Sequence, residues 1–426
     1  MSQRSAAAAT VPTRPEGDAA ADRTTTRGQS RPPILTPRRR PGHLGPIHVT
    51  QLLLIEAVLV AIAAISPYGL LAVVPVVLVS VVLLGVVLAR RKGRWWLERR
   101  IMTRQFRRRQ QGVAGATLGA DPRLAALRAL APGLVVENVT TSDGARIGVA
   151  RDDAGWYAVA SVAPDSPVDD GPTTLPLEKL ASTFVEADQP GAVLQLVTHT
   201  LPAPSIDTHP SSPAGHSYRQ LLAQFGTVAV PADRATWLAV RLDARTLAQA
   251  LGDDPADLEQ APAVTAALIR RVTKSLHRDG IAHRLLDADG LLAALARSCD
   301  LEPTGQPVEA VSPREEWTEW RSPRLAHRSY WVRGWPPVGQ AGAVLGTLSG
   351  VPAAMTSVAL ILAQDDDNGL LDLRGLVRVA APAGELAQTC HGLTRAAQQV
   401  RAELFQLDGE QGPAVYATAP TGGGAR

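Results

Sequence analysis

Ile47–Ala89 is almost continuously apolar, and this stretch limits what the chain can fold into more than any other feature. Ser66-Pro67-Tyr68-Gly69 interrupts it, leaving Ile47–Ile65 (19 residues) and Gly69–Ala89 (21 residues). A helix needs about 20 apolar residues to cross a hydrocarbon core. Pro67 disfavours helical backbone at the residue before it, so the break is tight and the two segments run antiparallel. The pattern predicts two transmembrane helices, 47–65 and 69–89, forming a hairpin. Arg38, Arg39 and Arg40 precede it, a basic run follows it, and the turn carries no Lys or Arg. The positive-inside bias then predicts a multi-pass protein of the inner cell membrane with both termini cytoplasmic. Ala61-Ile62-Ala63 fits a signal-peptide cleavage pattern, but a leading tail of over 40 residues and a second span argue against cleavage. Glu56 within the first span is expected to be protonated or bonded to a neighbouring helix, with a proton or partner role as the alternative. Pro75 is expected to kink the second.

Charge divides the chain. Residues 90–110 carry ten Lys and Arg against Glu98, while 111–426 sum to −10. A mildly acidic body is a poor partner for nucleic acid, so that class is set aside. The basic stretch holds Trp95, Trp96 and Phe106, which suits anionic lipid headgroups or a docking protein equally. Only Cys299 and Cys390 are present, which excludes a disulfide scaffold. Residues 1–46, rich in Ala, Thr, Pro and Arg, read as a disordered basic tail. Residues 90–122 read as a juxtamembrane collar and linker, 123–410 as a cytoplasmic domain, and 411–426 as a flexible tail.

Within 123–410, strand and helix patterns interleave. Leu134–Thr141, Arg146–Arg151 and Trp156–Val162 read as a meander with turns at Ser142-Asp143-Gly144 and Asp152–Gly155. Met355–Gln364 and Leu370–Ala380 read as a hairpin around Asp365-Asp366-Asp367-Asn368-Gly369. Pro262–Asp279 reads as a helix with Val264, Leu268 and Val272 on one face and basic residues opposite. Gly384–Leu407 reads as one final helix. The expected class is α/β with a mixed sheet, in which strands joined through helices can be parallel. No internal repeat is evident in the sequence.

Chemistry-bearing motifs are scarce. Neither GxxxxGK[ST] nor a GxGxxG after a strand occurs, and Gly342, Gly346 and Gly350 lack a phosphate-neutralising Lys. Asp365, Asp366 and Asp367 could hold a divalent metal but also suit a tight turn. His199, His209 and His216 with Asp207 match no structural zinc spacing. Cys390 and His391, adjacent on a helix, diverge by about 100° and cannot act as nucleophile and base. GxSxG and HExxH are absent. No catalytic, cofactor-binding or metal residues are assigned. Trp317, Trp320, Trp331 and Trp335 share their segments with Arg314, Arg321, Arg324 and Arg333, a composition common to interfaces and to cores.

The order of these parts, with RRKGRWWLERR after the hairpin, WLAVRLD from Trp237 and WTEWRSPRLAHRSYWVRGW at Trp317–Trp335, resembles the EccE family of type VII (ESX) secretion systems. The resemblance implies a non-catalytic structural subunit of an inner-membrane translocon, with EccB, the EccC ATPase and EccD as partners. It also implies a glycosyltransferase-like cytoplasmic fold without an assigned activity or cofactor. The alternative is a membrane-anchored glycosyltransferase using a nucleotide-sugar and a divalent metal at Asp365–Asp367.

Overall fold

The computed structural model describes residues 35–37, 43–44, 47–88, 90–91, 94–112, 121–162, 177–187, 189, 191–202, 211–225, 233–251, 259–302, 313–364 and 371–423. All of them lie in Pro33–Arg426, the second of two units into which the chain divides.

The amino-terminal part opens with short strands β1 (Leu35–Pro37), β2 (His43–Leu44) and β3 (Ile47–His48). Helices α1 (Val49–Ile65) and α2 (Leu70–Leu88) follow, joined by a single 3₁₀ turn at Ser66–Tyr68, and they pack against each other. The transmembrane hairpin expected over 47–65 and 69–89 is corrected here: among the described residues, no helix is long and apolar enough to cross a membrane. At 1.5 Å per residue, α1 and α2 extend about 25 and 28 Å, short of the ~30 Å hydrocarbon thickness. The apolar run is consumed at its ends. Ile47 and His48 pair with β2 instead of extending α1, and the turn takes residues from the middle. Leu59, Val60, Leu78 and Val79 stay more than half exposed.

Strands β4 (Arg90–Arg91) and β5 (Arg94–Trp95) form a small hairpin, and α3 (Trp96–Gly112) carries the basic sequence. The large body comprises α4 (Pro122–Arg128), β6 (Val135–Thr140), β7 (Arg146–Asp152), β8 (Gly155–Val162), α5 (Leu177–Glu186), β9 (Ala192–Leu201), α6 (Pro213–Phe225), β10 (Asp233–Asp243), α7 (Ala244–Leu251), α8 (Ala261–Arg278), β11 (His283–Leu285) and α9 (Ala288–Ser298). It continues with β12 (Arg314–Glu315), β13 (Trp320–Arg321), β14 (Ala326–Gly334), α10 (Ala341–Ser349), β15 (Met355–Gln364), β16 (Leu371–Ala381), α11 (Leu386–Gln399), β17 (Glu403–Gln406) and α12 (Gln411–Thr418).

One sheet runs β12-β13-β14-β16-β15-β9-β10-β8-β7-β6, with β1, β11 and β17 attached beside this path. Every pair in it is antiparallel except β1 with β16. The sheet is mixed through β1 alone, and the strands joined through helices do not pair in parallel, for a definite reason. Helix α5 carries the chain from β8 to β9, which point the same way, but β10 then drops between them. Helix α10 does the same from β14 to β15, with β16 inserted.

The order of elements thus repeats. Strands β7 and β8, α5, β9, β10, α8, β11 and α9 are matched by β13 and β14, α10, β15, β16, α11, β17 and α12. The two halves meet at the β9–β15 seam, and their strand orders mirror each other across it. The sequence shows no repeat because the shared quantity is topology, not residue identity.

Both sheet faces are covered at the centre, so central strands such as β8 and β15 are apolar on both faces rather than alternating. Trp156, Ala158, Ala160 and Val162 of β8 face α5 and α8, while Tyr157 and Val159 face the opposite layer of α4, α9 and α12. Strand β15 does likewise, with Val358, Leu360 and Leu362 on one face and Ala359, Ile361 and Ala363 on the other.

Two expectations near the C-terminus change. The single helix over 384–407 ends at Gln399, because Arg401 adopts φ 56° and Glu403–Gln406 pairs with β14. Residues expected to be a flexible tail form α12 and a buried turn, with Val415, Ala419 and Thr421 fully enclosed.

Gly155 opens β8 at φ 147°, and a Cβ there would sit 2.0 Å from the Leu242 carbonyl oxygen. We expect Gly155→Ala to destabilise the domain by about 2–4 kcal/mol in chemical denaturation, since the clash is with backbone of the paired strand.

Candidate functional site: a docked basic helix and a buried polar seam

Helix α3 uses one face to hold the body. The Arg109 guanidinium makes a two-pronged bond to Glu315, Nε to Oε2 at 2.9 Å and Nη2 to Oε1 at 3.1 Å, and Nη2 also donates to the Gly409 carbonyl. Gln110 Nε2 donates to the Glu315 carbonyl at 3.2 Å. The same Glu315 carboxylate accepts from the Gly412 amide at 3.0 Å in the first turn of α12, where an anion is favoured. Phe106 meets Trp317 edge-on at 5.5 Å, and the Arg99 guanidinium lies 5.8 Å from the same ring. Gly409, at φ 78°, leaves room for that indole.

This geometry joins two features that the sequence shows separately, the basic collar and the Trp317–Trp335 segment. On the side turned away from the body, Arg104, Arg107 and Arg108 are exposed and line a shallow groove with Ile101. These side chains make the outer face of α3 an open, strongly cationic strip suited to anionic groups.

The second constellation lies inside. Arg378 of β16 is 1% exposed. Its Nη1 donates to His327 Nδ1 at 3.2 Å, and its Nη2 donates to Ser357 Oγ at 3.0 Å and to the carbonyl of Ser298. Ser298 is the last residue of α9, so the cation sits at a helix C-terminus. Because His327 Nδ1 accepts, its Nε2 carries the proton and faces Asp300 Oδ2 at 3.5 Å. The Ser357 hydroxyl, occupied as an acceptor, donates to His199 Nδ1 at 2.9 Å. Asp300 accepts from Ser322 Oγ and from Arg324, whose Nε lies 2.9 Å from Oδ1. Asp300 holds φ 56°, a conformation that local partners must enforce.

Burial raises the Asp300 carboxyl, but the bond to His327, the Ser322 hydroxyl and the Arg324 charge outweigh it and bring it down to about 2. Burial, together with the nearby Arg378 charge, lowers His199 to about 3. His327 falls to about 4, again mainly by burial and against the pull of Asp300. Burial pushes the Cys299 thiol up to about 12, so it is no nucleophile at neutral pH.

A matching cluster occupies the other half. Arg241 of β10 is ion-paired with Asp152 and lies 5.2 Å over the Tyr157 ring. Tyr416 of α12 donates to Asp152 Oδ2 at 2.9 Å, and the Tyr157 and Tyr416 hydroxyls are 2.9 Å apart. Burial raises both phenols, which keeps them protonated as donors. Arg378 thus meets the terminal helix of the other half directly, at Ser298, and Arg241 is joined to the other half's terminal helix through Asp152, which accepts from Tyr416. These groups are enclosed, which suits them to fastening the halves rather than meeting a substrate.

The remaining sequence candidates do not assemble. His216 and His391 are exposed, while His199 is fully buried. Cys390 is buried and lies 3.8 Å from Arg328 Nη1. Asp207, His209, Asp365, Asp366 and Asp367 lie outside the described residues. Among the described residues, no three His, Cys, Asp or Glu side chains are grouped to hold a metal ion. Sequence reasoning missed Asp300, His327 and Arg378. The only available signal was polar residues inside otherwise apolar strand runs, such as Arg378 in Leu376–Ala381.

The model of the family described as "Putative type VII ESX secretion system translocon, EccE" matches residues 230–332. That span runs from β10 to most of β14 and contains Arg241, Asp300, Glu315, Trp317 and His327. No curated protein matches the chain.

Two outcomes follow. Neutral buried His199 and His327 bind fewer protons than in the unfolded chain, so stability present above pH ~6.5 is lost as pH falls toward 4. His327→Gln should reduce the stability lost over that window by up to about 3 kcal/mol, read by urea titration at several pH values. Trp317→Ala should free α3, accelerating tryptic cleavage within Arg104–Arg109 about tenfold with no loss of the body's cooperative melt.

Proposed function

We propose that this chain is a non-catalytic subunit of a type VII secretion translocon, associated with the inner membrane and with other translocon subunits. The family match over 230–332 carries this reading. The matched span supplies Glu315 and Trp317, the two residues that fix α3 against the body.

In this reading, α3 is a rigid adaptor. Its inner face is committed to Glu315, Gly409 and Trp317, so its outer arginines are presented in one fixed orientation. Such a strip meets anionic headgroups of the cytoplasmic leaflet, where each basic residue near the surface contributes about 1 kcal/mol. The domain, carrying the net negative charge, then hangs on the cytoplasmic side and contacts EccB, EccC and EccD. The buried clusters keep its two halves in one arrangement.

The full chain, tagged and extracted in mild detergent, should retain EccB, EccC and EccD, and recovery of the chain alone would overturn the assignment. Arg104→Glu/Arg107→Glu/Arg108→Glu should weaken flotation with phosphatidylglycerol vesicles by at least about tenfold, with neutral phosphatidylcholine vesicles as the baseline.

A further inference from the structure

We infer that the groove between α8 and β11 receives an extended acidic segment of a partner protein. This inference goes beyond the lipid-facing role of α3 and uses different residues. The groove is an open trough of about 940 Å³, lined by Arg270, Arg271, Lys274, His277, His283 and Leu285. Arg270 is shared with Asp143 at 2.6 Å, and Arg271 donates to the Ala187 carbonyl at 2.8 Å. Among the described residues, Lys274 and His277 have no ion-pair partner, and both are exposed. His277 and His283 meet edge-on at 6.3 Å across the trough. The carboxylate nearest the C-terminal end of α8, Asp279, is taken by Lys179 at 2.8 Å. A body whose residues 111–426 sum to −10 thus concentrates positive charge in one concave strip.

Spacing selects the occupant. Residues three and four apart on a helix sit about 5–6 Å apart, which sets the rows at Arg270/Arg271, Lys274 and His277. Alternate side chains of an extended chain repeat every ~6.6 Å on one side. A strand-like peptide with acidic residues at every second position therefore matches the rows. A small anion would need an enclosed pocket, and the trough is open. Single-stranded nucleic acid would need aromatic platforms and a longer cationic track than the surrounding acidic body provides. A flat lipid surface cannot enter a concavity.

The test uses the full chain and a fluorescein-labelled peptide of alternating Gly and Glu, followed by fluorescence polarisation at low ionic strength. Saturable binding is expected. Lys274→Glu/His277→Glu should weaken it at least about tenfold, and the milder Lys274→Gln roughly threefold. Arg395→Glu, an exposed charge reversal on α11, should leave it unchanged, and matching thermal melts check that each variant is folded. The proposal fails if the native chain shows no saturable binding, or if Arg395→Glu weakens it as much as the groove variants. It also fails if an eight-nucleotide thymidine strand or phosphatidylglycerol vesicles bind equally well through the same residues.

Discussion

A guanidinium at the centre of a two-sided sheet has to be hydrogen-bonded where it lies, and Arg378 sets that requirement for everything around it. The strand hydroxyl of Ser357, the end of α9 and the imidazole of His327 meet the charge directly. Those groups need partners in turn, which brings in His199, Asp300, Ser322 and Arg324. The network reaches across the β9–β15 seam and beyond α9, so it registers one half of the domain on the other. Arg241 does the corresponding work through Asp152, Tyr157 and Tyr416. Losing one member would leave a buried polar group unpaired, which costs more than the bond itself.

The same logic of committed and uncommitted charge separates the inside of α3 from its outside. Arg109 is held by a carboxylate that is largely sheltered and also caps a helix, so its position is fixed by the body. Arg104, Arg107 and Arg108 point away from that contact and remain available. Because the inner face of the helix is held by the body, the outer charges keep one orientation relative to it.

Local pattern exposed some of this and hid the rest. The β6–β8 meander, the β15 and β16 strands and the amphipathic α8 were readable, because each is written in nearby residues as a period of two or 3.6 or as a turn signal. The basic collar and the Trp–Arg segment were both visible, but not their mutual contact, since Arg109 and Glu315 are 206 positions apart. Residues 384–407 carried one helical pattern, and pairing of Glu403–Gln406 with β14 overrode its end. The apolar run over 47–89 had the composition of a membrane hairpin, yet helix length depends on where the ends pair, and β3 took the first two residues of the first segment while the second helix covers only Leu70–Leu88.

By itself, the sequence determined the charge division between collar and body, the apolar helical pair, most strand and helix segments, and the likeness to a secretion family. These are properties of residue type and short-range spacing. Tertiary structure alone decided that every strand pair but β1 with β16 is antiparallel, that the domain is a doubled unit, and that Asp300, His327 and Arg378 meet. Each of those depends on which strand drops between two others, a choice made by long-range burial that no window of neighbouring residues records.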